Sequence, residues 1–234
     1  MIHHRHMQQI DEAVRLGRRV ITTQRVRDID GLSTVLHERW YLGLTSQQAG
    51  VPASSARAWR AWGRLWTPDL HEPRPDQVRL HLSVPPVRAL HVLGLVTARA
   101  RAWAHPWLLT STALDAELPT PESTVLRLPA EALLPLRHEI AGLVDDLKPF
   151  LALGVPALTL TIGRGASLSE DPADGHTFGE HRCALLARAV LDTMGCHHRE
   201  QVDRTLGVLV EAGVDRERPY LESGTSWDRP WRAA

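Results

Sequence analysis

Apolar positions recur at helical spacing through the first forty residues. Ile10, Ala13, Val14, Gly17, Val20 and Ile21, with Leu16 at the edge, make one stripe, and Leu32, Val35, Leu36 and Trp40 make a second after Gly31. This spacing predicts two amphipathic helices within 8–42, because residues three and four apart share a helix face. Arg25, Arg27, Asp28 and Asp30 form the polar connection between them. From Val78 the period changes to two: Val78-Arg-Leu-His-Leu-Ser-Val84 alternates, which predicts a strand with one buried face. Pro85–Pro86 stops it, and Val87, Leu90, Leu93, Val96 and Ala100 place an amphipathic helix over 87–103. Trp107–Thr112 and Ser123–Leu128 read as further strands, 130–147 as a helix with Pro135 in its first turns, and Pro156–Ile162 as extended chain. Two more helices follow: 178–194, with Leu185, Leu186, Ala189 and Val190 inward, and Glu200 to Ala212, stopped by Gly213. The aromatic tail from Asp215 is expected to fold back over a core. The order β-α-β-β-α-β in the middle predicts an α+β fold, a small mixed sheet with helices packed on it. Residues 1–66 form its N-terminal helical part, 76–162 the sheet with its helices and 163–234 a loop with the C-terminal helices, all read as a single domain.

The loop is the densest in chemistry. Gly163, Gly165, Pro172 and Gly175 interrupt regular structure across 163–183. Thr177 with Glu180 then reads as a capping box that opens a helix. Glu170, Asp171, Asp174, His176, Glu180, His181 and Arg182 lie within thirteen positions. Acids, imidazoles and a guanidinium delivered to a helix N-terminus suit anion binding and proton transfer. His176 and His181 are the candidate general bases, and Arg164 and Arg182 the candidate grips for an anionic group.

Composition mostly narrows the field. The formal net charge is zero and hydrophobic residues make up 43% of the chain, so nothing global points to nucleic acid or an anionic membrane. No apolar run approaches the roughly 20 residues of a membrane span. The N-terminus lacks a signal-peptide core, and Cys183 and Cys196 suit a reducing compartment, which together predict a cytoplasmic protein. Lys148 is the single lysine, so a reaction that needs a lysine base has one candidate. His181 and Cys183 begin one helix while Cys196, His197 and His198 lie past its end, roughly 20 Å away at helical rise, so no metal is expected. There is no nucleophile elbow and no phosphate-cradling glycine–lysine loop, and no cofactor is expected. One rival reading concerns 44–62: Thr45, Ala49-Gly50-Val51, Ser54, Arg57 and Trp59–Arg60 have the rhythm of a helix-turn-helix. Residues 1–66 carry ten arginines against five acids, which would favour DNA phosphates, although the rest of the chain cancels that charge.

Pro156-Ala-Leu-Thr, Gly165-Ala-Ser-Leu-Ser-Glu-Asp-Pro, Gly175-His-Thr-Phe-Gly-Glu-His-Arg-Cys183 and Asp215…Arg218-Pro-Tyr-Leu221 together resemble the C-terminal signature of the HopA family of type III effectors. Leu36-His-Glu-Arg-Trp-Tyr41 and Val78-Arg-Leu-His-Leu82 are similar to its N-terminal and first-strand motifs. The resemblance implies a role in maturing ribosomally made peptides of the lanthipeptide and thioamitide type, beside a kinase-like phosphotransferase and other pathway enzymes. The resemblance further implies that the kinase-like protein phosphorylates Ser or Thr and that the HopA-like protein then removes the phosphate by β-elimination, using a lysine of the second strand. Here Thr110 stands at that lysine's place, and Pro121-Glu122-Ser123 replaces the family's Arg-Asp pair. The expected activity is therefore the later step, thioether ring closure by addition of a Cys thiol to the dehydroamino acid, with His176 or His181 deprotonating the thiol. Arg79, Arg164, Arg182, Glu170, Asp171 and Tyr220 would hold the precursor peptide. The alternatives are a phosphoserine/phosphothreonine lyase with a relocated base, and a non-catalytic subunit that presents the precursor.

Overall fold

A computed structural model describes residues 4–44, 58–67, 76–114, 120–172 and 174–232. The chain groups into two compact units, Met1–Gly50 with His176–Thr225, and Val51–Gly175 with Ser226–Ala234.

The first unit is helical. Helix α1 (His4–Gln24) buries Ile10, Ala13, Val14, Gly17 and Val20, the stripe expected of it. Helix α2 (Ile29–Leu36) is capped by Asp28, whose carboxylate accepts from the Gly31 N–H at 2.7 Å, and continues into a wider π-helical turn, His37–Tyr41. Helix α5 (Phe178–Asp192) opens with the expected capping box, in which Thr177 and Glu180 each accept from the other's backbone N–H. Two glycines set the packing. A Cβ on Gly17 would sit 3.0 Å from Val190, and one on Gly179 would overlap the Tyr41 ring, so α1 and the π-helical turn approach α5 closely. Helix α6 (His198–Glu211) packs on α5.

The second unit is a six-stranded sheet in the order β1-β3-β4-β2-β6-β5, formed by β1 (Trp59–Trp62), β2 (Gln77–Leu82), β3 (Leu108–Ser111), β4 (Thr124–Pro129), β5 (Leu160–Gly163) and β6 (Ala166–Glu170). Every neighbouring pair is antiparallel, where a mixed sheet was expected. The helix-linked β2 and β3 do run parallel, but β4 lies between them, so the crossover skips a strand as in split βαβ units. Helices α3 (Ala89–Ala100) and α4 (Arg137–Leu147) contribute to the core, which is built from Val78, Leu80 and Leu82 of β2, Leu126 and Leu128 of β4, Leu168 of β6 and their helical partners. Trp227 and Trp231 of the tail pack on it, as expected, the latter from the short helix α7 (Arg229–Arg232).

Four further expectations change. The stripe of α3 is Ala89, Val92, Leu93, Val96 and Ala100, whereas Val87 and Leu90 are 90% and 78% exposed. Val87 lies in a 3-10 turn, Pro86–Arg88, so helical counting does not start from it. The first half of the glycine-rich loop is strand β6, closed onto β5 by a turn in which Gly165 takes φ +64. A side chain there would meet the Ala152 carbonyl and Leu151. Strand β2 is buried on both faces, not one. The helix-turn-helix reading lies mostly outside the described residues, and its end, Trp59–Trp62, is an edge strand. Among the described residues no helix is long and apolar enough to cross a membrane.

Candidate functional site

Strand alternation divides the sheet into an apolar and a polar face. Register aligns Trp62, Leu108, Arg127, Arg79 and Ser169 in one row of the polar face, across β1, β3, β4, β2 and β6. A second row holds Arg60, Thr110, Val125, His81 and Ser167. Burial grades along this face: Arg60 is exposed, Thr110 and Arg127 are half-buried, and Arg79, His81, Ser167 and Ser169 are buried.

The buried end is neutralised by specific partners. Arg79 donates from Nε to the Asp171 carboxylate in an ion pair almost wholly out of water. His81 Nε2 shares a 2.7 Å hydrogen bond with Ser169 Oγ, and its Nδ1 lies 3.4 Å from Glu122 Oε1. Burial, helped by the Arg79 charge, pushes the His81 pKa down to about 3, so this imidazole is neutral. Burial pushes the Asp171 carboxyl up, with Arg79 and Arg127 pulling against it. Arg127 is brought down to about 10, by burial first and then by Arg79 and Arg60, with Asp171 opposing. It remains cationic at neutral pH. An anion placed beside Arg127 would relieve the repulsion among these guanidiniums, and guanidinium forks match phosphate geometry.

The depressed His81 pKa has a measurable consequence. The unfolded chain takes up a proton near pH 6.5, whereas the folded one does not until about 3. Stability is therefore full above pH 6.5 and falls as pH drops below it. The expected slope is about 1.4 kcal/mol per pH unit for one proton. His37, also lowered by burial, adds to the same window. Urea midpoints measured from pH 6.5 downward should fall for the wild type and fall less steeply for His81→Gln. An unchanged slope in the variant would refute the assignment.

The expected site residues divide between the units. In the second unit, Arg79 and Asp171 are joined. Glu170 is buried opposite Val78 and so points to the sheet's other face, and Arg164 is exposed in the β5–β6 turn. In the first unit lie His176, His181, Arg182 and Tyr220. His176 is exposed and acts electrostatically on Glu180. Arg182 is fully buried: it donates to the carbonyl of Pro219 at 3.0 Å and to Glu222 at 2.8 Å, and lies 4.9 Å over the Phe178 ring. Its Nη1 also donates to His181 Nδ1 at 2.6 Å, which makes that imidazole an acceptor at Nδ1. Tyr220, buried, meets the His6 ring edge-on. Lys148 caps the C-terminal end of α4 and is exposed. Among the described residues no group of three or more His, Cys, Asp or Glu could hold a metal ion.

A profile of the HopA1 effector protein family matches residues 64–221, about two thirds of the chain. The chain belongs to the HopA1 effector protein family. A search of the curated proteins finds no match. Among solved structures, the effector protein from Pseudomonas syringae pv. syringae strain 61 is similar with a TM-score of 0.53 at 16% identity, over 93% of this chain and 95% of that one. The effector from Pseudomonas syringae pv. tomato strain DC3000 is similar with a TM-score of 0.50 at 16% identity, over 94% of this chain and 83% of that one. At this identity the likeness is one of fold.

Sequence reading of this HopA1 member missed Arg60, Arg127, His81 and Ser169 as a group. For His81 and Arg127 the signal was present in the alternation of 78–82 and of 123–128, but an alternating strand reads as polar-to-water unless its second face is known to be covered.

Proposed function

We propose that this protein takes part in the maturation of a ribosomally made peptide by receiving a phosphorylated Ser or Thr of the precursor on the arginine-bearing face of its sheet. The supporting observation is the register that sets Arg60, Arg127 and Arg79 on one face, graded from exposed to buried, with Arg127 held among like charges. The phosphate would come from a kinase-like phosphotransferase acting first. Thr110 lies on this face where the family resemblance places a lysine, and the one lysine of the chain is at the end of α4. That favours a phosphopeptide-holding role over elimination.

Elimination is the second reading, and the contacts of His81 with Ser169 and Glu122 favour it. In that reaction a base takes the Cα proton, the Cβ–O bond breaks, and the phosphate leaves with the electron pair. Neutral His81, two residues along β2 from Arg79 and hydrogen-bonded to Ser169, is the candidate acceptor. Ring closure through His176 or His181 is supported less, since His181 Nδ1 is engaged by Arg182.

The test titrates the protein with a short phosphothreonine peptide, its unphosphorylated twin and its dehydrated form, following anisotropy and then mass. The phosphorylated peptide is expected to bind about ten- to a hundredfold tighter than its twin, which corresponds to about 1.5–3 kcal/mol of charge-assisted hydrogen bonding. Equal affinities would sink the reading. Loss of a phosphoric acid equivalent would make the protein a lyase. Loss of an alkylatable thiol from a dehydrated, cysteine-bearing peptide at constant mass would make it a cyclase, to be followed with His176→Ala and His181→Ala.

A further inference from the structure

Residues 77–114 contain no Asp or Glu, so the chain between α3 and β3 carries its cations without local counter-ions. Within the second unit this connection, at 101–107, meets the exit of β1, at 63–65, and the two line a cavity of about 730 Å³. That is the size of a small-molecule site. Trp107 is its floor, 2% exposed and part of the hydrophobic core. Among the described residues nothing accepts from the Trp107 indole N–H. Gly63 leaves that edge of the ring uncovered, since a Cβ there would lie 2.5 Å from the indole nitrogen. Trp103 and His105, both half-buried, and the exposed Arg64 and Arg101 complete the wall. Among the described residues neither guanidinium is paired with a carboxylate, and the described lining holds no acid.

We infer that this cavity is a nucleotide site, which takes a planar heterocyclic base against its tryptophans and the attached phosphates on Arg64 and Arg101. It is separate from the phosphopeptide face and does not depend on it. Three features choose the ligand. Indole rings offer flat faces on which any base stacks. Guanidinium forks match phosphate oxygens two at a time. The lining is rich in donors, from two guanidiniums to the bare indole N–H, and has no carboxylate to receive a donor in return. Its ligand is therefore rich in acceptors, as phosphates and the ring nitrogens and carbonyls of a base are. An organic cation, which aromatic rings also attract, is repelled by the arginines. A simple inorganic anion would leave the tryptophans and the buried N–H unused. The same chemistry can arrive as a free nucleotide or as part of a single strand, and the two differ in how they compete.

The test titrates the full chain by calorimetry with ADP, adenosine, inorganic pyrophosphate and a short single-stranded DNA. The proteins are the wild type, Arg101→Gln, Trp103→Ala and Arg127→Gln. ADP is expected to bind the wild type at least tenfold tighter than adenosine or pyrophosphate, because it alone engages both the rings and the guanidiniums. Arg101→Gln should weaken ADP about tenfold and leave adenosine unchanged, since it removes a phosphate contact only. Trp103→Ala should weaken both ADP and adenosine and leave pyrophosphate unchanged. Arg101 is exposed, so its variant should melt with the wild type. Should Trp103→Ala fail to fold, Arg64→Gln takes its place, with the result expected of Arg101→Gln. An ADP affinity no tighter than that of pyrophosphate, or one that survives the cavity variants, overturns the inference. So does an ADP affinity lost in Arg127→Gln alone, which would put the nucleotide on the sheet face. Displacement of ADP by the DNA with an affinity above that of ADP itself assigns the site to a single strand, and weaker competition assigns it to the free nucleotide. Either result keeps the site.

Discussion

Arg182→Ala should lower the stability of the protein by about 3–5 kcal/mol, the usual cost of leaving one partner of a buried ion pair alone. The side chain is fully buried in α5, and four groups converge on it. Its Nε donates to the Pro219 carbonyl and its Nη2 to Glu222 Oε1, the Leu221 carbonyl lies 3.5 Å from Nη2, and Nη1 reaches His181 Nδ1. Truncation leaves Glu222, 19% exposed, without its guanidinium and strips the turn at Pro219–Tyr220–Leu221 of its tie to α5. Lysine should not restore stability, because a single ammonium cannot reproduce a planar fork that serves several acceptors at once. Urea unfolding of Arg182→Ala, Arg182→Lys and the wild type decides the matter: a loss below about 1 kcal/mol in the alanine variant would fit a surface pair and refute this account. In this structure the Arg182 donors serve the fold, which argues against its expected role as a grip on substrate.

Arg182 marks the boundary of what the sequence discloses. Local signals were sufficient for α1, α2, α5 and the capping box at Thr177–Glu180, because periodicity and cap chemistry act within a few residues of where they are read. Strand β2 followed from alternation, β3 and β4 from short apolar and β-branched runs, and the family from a block of motifs near the C-terminus. Contacts between distant residues were not legible. Nothing near Arg79 says that Asp171, ninety-two residues away, neutralises it, or that His81 meets Ser169. Strand β6 was hidden for another reason: Gly163, Gly165 and Pro172 bracket it, and a five-residue strand between turn residues has the composition of a loop. Strand β1 was obscured by a short pattern with the rhythm of a helix-turn-helix, which carries little weight without tertiary context. Most of the site residues that reading proposed, from Arg164 to Arg182, were thus chosen by closeness in sequence, whereas Arg79 and Tyr220 came with the motifs of the resemblance. The face that gathers arginines is assembled by register across five strands.

That face yields the second large effect. Asp171→Ala strands the Arg79 guanidinium in a buried position and should cost about 3–5 kcal/mol. The cost is that of an uncompensated charge, so removing the charge as well should recover most of it: Arg79→Leu with Asp171→Leu is expected within about 1 kcal/mol of wild type, since well-packed apolar pairs often replace buried ion pairs without loss. The three proteins then separate stability from function. In Asp171→Ala an external anion can take the carboxylate's place beside Arg79, so inorganic phosphate should raise its urea midpoint more than that of wild type, by the linkage that favours any ligand bound only to the folded state. In the double-leucine variant phosphate should have the least effect, and the preference for the phosphothreonine peptide should shrink, because the inner guanidinium of the row is gone while Arg127 and Arg60 remain. A double variant that folds well and keeps the full phosphopeptide preference would show that Arg79 serves only the fold, and that any anion site lies further out, at Arg127 and Arg60. Failure of phosphate to stabilise Asp171→Ala beyond wild type would remove the inner end of the row from the proposed site.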